Sequence, residues 1–87
     1  MQYIRKRDGR LVDFNQNKIV DAILKAFKQV DGDISPYALE KANKIAGYVE
    51  KQGKNKILTV EEVQDIVERG LMSTKRKDVA RAYITYR

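Results

Sequence analysis

The sequence predicts an α+β domain in which an N-terminal β-hairpin precedes about four helices. Two observations carry this. Asp8-Gly9, a strong turn pair, stands between two strand-compatible segments, Gln2 to Arg7 and Arg10 to Phe14. Helix-start signals then recur at Asn15, Ser35-Pro36 and Thr59, each followed by apolar residues at helical spacing. With 87 residues and 43% apolar composition the chain is long enough for a single core of its own.

Each element has its local reason. Phe14 precedes Asn15, a favourable N-cap, and Ile19 lies where a hydrophobic staple places the partner of Phe14. The first helix therefore begins at Asn15 and buries Ile19, Ile23, Ala26, Phe27 and Val30, with Lys25, Lys28 and Gln29 toward solvent; Asp31-Gly32-Asp33 ends it. Ser35 caps a second helix with Pro36 at its first position, and Ala38, Ala42, Ile45, Ala46 and Val49 form its stripe as far as about Gln52. Gly53-Lys54-Asn55 breaks it, and Lys56-Ile57-Leu58 reads either as a third strand or as a linker. Thr59-Val60-Glu61-Glu62 is a capping box that opens a third helix burying Val63, Ile66, Val67 and Leu71. Ser73 or Thr74 is expected to cap a last helix whose Val79, Ala82, Tyr83 and Tyr86 share a face.

Composition narrows the chemistry. Cysteine and histidine are both absent, which removes disulfides, thiolate chemistry, the usual zinc sites and histidine acid–base catalysis. No nucleophile or carboxylate pair suggests hydrolysis or transfer, so no catalytic residue is assigned. No apolar run approaches the roughly 20 residues of a membrane helix, and Arg5 interrupts any signal peptide, so the expected compartment is the cytoplasm without membrane association. The net charge of +6 favours an acidic partner without choosing among nucleotide, nucleic acid and anionic membrane.

The cations concentrate where backbone N–H groups are free. Arg5, Lys6 and Arg7 approach the hairpin turn, and Lys18 sits in the opening turn of the first helix, where a cation opposes the macrodipole at a cost of about 0.3–1 kcal/mol. An anion bound there reverses that sign. Strand alternation separates Arg5 and Arg7 from Lys6, so either a ligand lies across the hairpin end near Asp8-Gly9, where the pleat no longer separates faces, or some of these cations serve a second ligand or none. Arg5 and Arg10 read better as charges that protect an edge strand from aggregation. Glu61 and Glu62 already satisfy the dipole of the third helix, which excludes its start as a phosphate site. The segment Gly47 to Lys54 fails as a P-loop because its glycines are misplaced and Asn55 stands where Ser or Thr is needed. Lys75-Arg76-Lys77 reads as a solvated surface, and Tyr83 and Tyr86 as core edge.

Four ordered segments resemble the ATP-cone domain of ribonucleotide reductases: Lys6-Arg7-Asp8-Gly9; Phe14-Asn15 with Lys18-Ile19; Thr59-Val60-Glu61-Glu62-Val63-Gln64; and Val79-Ala80 through Ala82-Tyr83-Ile84 to Tyr86-Arg87. The resemblance implies a three-stranded sheet covering a bundle of about four helices, which favours the strand reading near Leu58. It also implies reversible binding of ATP or dATP, with Mg2+ as an accompaniment of the phosphates, that controls a catalytic domain elsewhere in the polypeptide through altered quaternary structure. Carried onto matching positions, Ile4, Lys6, Arg7, Asn15 and Lys18 resemble the hairpin and first-helix ligands, and Ile57, Thr59 and Gln64 the base-side wall. Val12 stands where some relatives carry an acidic residue, and a valine accepts no hydrogen bond.

The whole of residues 1–87 is thus expected to be one ATP-cone domain, an N-terminal piece of a longer protein, most similar to that of the anaerobic ribonucleoside-triphosphate reductase. Since reductase radical chemistry needs cysteines, the domain itself is expected to be regulatory and not catalytic. The alternative is a nucleic-acid-binding or transcription-regulator module, such as the ATP-cone of a reductase-gene repressor without its zinc ribbon.

Overall fold

In a computed structural model, which describes residues 2–87, the elements follow in the order β1 (Tyr3–Arg5), β2 (Leu11–Asp13), α1 (Gln16–Asp31), α2 (Pro36–Gln52), β3 (Leu58–Thr59), α3 (Val60–Met72) and α4 (Lys77–Tyr86). The expected α+β architecture is present. The sheet has the order β2-β1-β3, with β2 antiparallel and β3 parallel to β1.

The hairpin differs from expectation in its turn. A two-residue turn at Asp8-Gly9 would pair Arg7 with Arg10, but Lys6 N–H donates to Arg10 O at 2.8 Å and Gly9 N–H to Lys6 O at 2.9 Å. The loop is therefore Arg7-Asp8-Gly9, closed by Gly9 at φ 90°, a conformation that costs glycine nothing. The extra residue takes Arg7 out of strand alternation. Arg5, assigned to an edge, instead lies on the central strand β1, and its Nη1 donates to Gly9 O at 3.0 Å.

The helix starts follow their caps. Asn15 Oδ1 accepts from Asn17 N–H at 3.0 Å, and Ser35 Oγ accepts from Ala38 N–H at 3.1 Å. At α3 the capping box is complete: Thr59 Oγ1 accepts from Glu62 N–H, and Glu62 Oε1 accepts from Thr59 N–H. Gly32, at φ 76°, ends α1 by donating its N–H to Lys28 O. The last helix departs from expectation, for it starts at Lys77 with Arg76 as an N-cap that makes no side-chain cap bond. Thr74 Oγ1 donates to Leu71 O and accepts from Arg76 N–H, so it closes α3 and shapes the turn.

The core is apolar throughout. Ile23, Phe27, Ala38, Ala42, Ala46, Val49, Leu71, Val79 and Ala80 are fully buried, and α1 packs on α2 and α4 while α3 packs on α2 and α4. Full burial of side chains of the Val, Leu and Phe class stabilises by about 1.5–3 kcal/mol each. Val30 and Tyr86, placed on the buried stripes by periodicity, are instead exposed. The sheet is seated on this core by Leu58, which is buried, and by its register partner Ile4, which is half-buried against it.

Candidate nucleotide-binding cleft at the hairpin tip

Because β3 runs parallel to β1 and leads straight into α3, the start of α3 arrives beside the hairpin tip. The end of α4 arrives there too, giving a cleft of about 570 Å³ lined by Lys6, Arg7, Asp8, Arg10, Val60, Gln64, Tyr86 and Arg87. Three of the eight residues singled out from the sequence, Lys6, Arg7 and Gln64, meet in it. Gln64 contributes a buried Oε1 with no hydrogen-bond donor. An orphan acceptor of this kind costs about 1–3 kcal/mol where nothing donates to it.

The other five do not line it. Ile4 is central in the sheet, paired with Val12 and Leu58. Thr59 pairs with Arg5 in register and is occupied as the α3 cap, while Ile57 is 43% exposed just before β3. Asn15 and Lys18 belong to the opposite end of the hairpin, because β2 runs back toward Tyr3 before α1 begins. Three residues of strand separate that end from Lys6, about 10 Å at the usual rise. A single phosphate does not span this, whereas an extended triphosphate with its nucleoside does.

Carboxylates tune the tip. Asp8 accepts from the backbone N–H of Arg10 at 3.0 Å and from its Nε at 2.7 Å, and these bonds hold the Asp8 carboxyl below the usual carboxylate range. Glu62 is lowered likewise, first by the Thr59 N–H and then by the Lys56 ammonium at 3.2 Å. Glu61, expected to keep phosphate away from α3, pairs with two arginines of the lining: its Oε1 accepts from Arg7 Nε at 2.5 Å and its Oε2 lies 3.7 Å from Arg87 Nη2. Arg87 Nη1 also donates to Asp65 at 3.1 Å and Glu68 at 3.0 Å. Sequence reading missed Arg10, Tyr86 and Arg87 as cleft residues. Only the spacing of Glu61, Asp65 and Glu68 on one face of α3 hinted that a cation would come there.

A family model described as "ATP cone domain" matches residues 2–87. The chain belongs to the ATP-cone family. Among curated proteins it is 39% identical over 98% of its length to the anaerobic ribonucleoside-triphosphate reductase of Escherichia coli (strain K12), of which it covers 12%. It is also 39% identical, over 94% of its length, to 11% of the vitamin B12-dependent ribonucleoside-diphosphate reductase of Thermoplasma acidophilum. A ribonucleoside-diphosphate reductase subunit alpha of Chlamydia pneumoniae matches at 38% identity over 97% of this chain and 9% of its own length. The ATP-cone chain thus spans about an eighth or less of these relatives, and the expected likeness to the anaerobic enzyme is shared equally with the B12-dependent one.

A larger groove of about 940 Å³ lies between α2 and α3, floored by Ile45, Leu58 and Ile66, and none of the eight predicted residues lines it. Among the described residues no helix is long and apolar enough to cross a membrane, and no group of three or more acidic, His or Cys side chains is placed to hold a metal ion.

Proposed function

We propose that this ATP-cone domain binds ATP and dATP reversibly at the hairpin-tip cleft and so regulates the activity of a ribonucleotide reductase of which it forms part. The observation that carries this is the meeting of Lys6, Arg7 and Gln64 in one cleft. Lys6 and Arg7 serve the phosphates, since charge-assisted bonds contribute about 1.5–3 kcal/mol each. The side chain of Gln64 serves the base, with Thr59 and Ile57 as the base-side wall. The remaining phosphates lie along the sheet past Ile4 toward Asn15 and Lys18, where the cation in the first turn of α1 is otherwise uncompensated. Mg2+, where present, arrives with the phosphates.

In this reading ATP permits activity and dATP suppresses it, through the assembly state that each selects. The partners are the catalytic domain of the parent reductase and further copies of it, and the compartment is the cytoplasm. The domain itself supplies no catalytic residue. The nucleic-acid alternative would use Lys75-Arg76-Lys77 together with the hairpin, and the central arginine of the first is already engaged by Asp31 and Asp78.

Calorimetric titration of residues 1–87 with ATP and dATP at two salt concentrations tests the proposal. Saturable binding near low micromolar Kd, weakened about ten- to a hundredfold by Lys6→Ala and by Lys18→Ala, is the expected result. Absence of binding to either nucleotide, or affinity unchanged in both variants, rejects the site.

A further inference from the structure

The carboxylate of Glu61 lies against two arginines that line the cleft, Arg7 and Arg87. It takes the Nε of Arg7 at 2.5 Å and approaches Arg87 at 3.7 Å. These two arginines are held very differently. Arg7 has 67% of its side chain exposed and, among the described residues, Glu61 as its one carboxylate partner, whereas Arg87 is 17% exposed and enclosed by Glu61, Asp65 and Glu68. Arg7 is therefore the exchangeable partner and Arg87 the fixed one.

We propose that Glu61 is a built-in competitor of the ligand's phosphates for Arg7, so that it sets the working affinity of the cleft. The inference rests on the nucleotide reading above. Only the fraction of molecules whose Arg7 is free of Glu61 is ready to bind a phosphate, and the apparent Kd rises in proportion. When the phosphate takes Arg7, the carboxylate keeps its contact with Arg87, the residue that follows α4.

An exposed ion pair of this kind holds its partner by a factor of about two to five. Glu61→Gln, which keeps the shape and removes the charge, is accordingly expected to tighten ATP binding by about two- to fivefold and to leave binding of adenosine, which has no phosphate, unchanged. The gain disappears when Arg7→Ala is added. Glu40→Gln, the same charge change on an exposed position of α2, reports the general electrostatic effect and is expected to give less than half of the gain. Thermal melting of each variant confirms that it folds. ATP binding to the parent domain with unchanged or weaker binding in Glu61→Gln, or an equal gain from Glu40→Gln, overturns the competitor role and leaves the nucleotide reading standing. No ATP binding in either protein overturns both.

Discussion

Two basic clusters of similar composition meet opposite fates in this molecule. At the hairpin, Lys6, Arg7 and Arg10 stay exposed around an open cleft, and Arg7 has, among the described residues, a single carboxylate contact. At the start of α4, Lys75-Arg76-Lys77 closes on the protein. Arg76 is 29% exposed, donates to Asp31 at 2.5 and 3.1 Å and to Asp78 at 3.1 and 3.2 Å, and lies over the ring of Phe27 at 5.9 Å. Lys77 Nζ donates to Met72 O. The first cluster is available to a ligand and the second ties the end of α1 to the start of α4. Partner number and burial separate the two roles, and charge does not.

The largest effect is expected beneath the second cluster. Phe27 is fully buried, meets Tyr37 edge-on at 6.2 Å and supports Arg76. Phe27→Ala should cost about 3–5 kcal/mol in chemical denaturation, a large share of the stability of a small domain. A loss under 1 kcal/mol would show that the clamp stands without its floor.

The next prediction separates the clusters directly. Arg7→Ala should weaken ATP binding by about tenfold with little change in melting temperature, and Arg76→Ala should lower the melting temperature by several degrees while changing the Kd by less than twofold. Calorimetry and thermal melting on the pair decide it, and an exchange of the two outcomes would break the comparison.

Smaller again is the cap that positions the cleft's far wall. Thr59→Ala removes one half of the capping box and should cost about 0.5–2 kcal/mol of stability by denaturant midpoint, with Thr59→Ser recovering most of it.

Acid should expose the clamp gradually. Asp31 and Asp78 are lowered by their bonds to Arg76, Asp8 by Arg10, and Glu62 by Thr59 and Lys56. A carboxyl lowered on folding contributes stability that is present above its unfolded value and is lost as pH falls through its folded one. Stability should therefore be level at neutral pH, begin to fall below the ordinary Glu value of 4.5, and fall further below the Asp value of 3.8. Arg76→Ala should flatten the lower part of that curve, as followed by melting temperature against pH.

Part of the candidate site was legible. Lys6 and Arg7 stand out as cations beside a hairpin turn, a local device, whereas Gln64 came from the resemblance to the ATP-cone, and the structure brings those three together. Tyr86, read as core edge, and Arg87 enter the cleft only because α4 returns across α3. The turn shows the limit in another way: Asp8-Gly9 signals a hairpin, yet whether two or three residues form its loop depends on the register that Ile4 takes between Val12 and Leu58.

By itself the sequence determined the α+β class, the capped starts of the first three helices, their buried stripes and the placement of cations at the hairpin, since each depends on residues within four positions of one another. The tertiary structure alone decided which of those cations remain available. Asp31 and Arg76 are 45 residues apart, and Arg7 and Glu61 are 54 apart. No periodicity reaches that far, because such pairs exist only once the apolar faces have packed and fixed which helix ends meet.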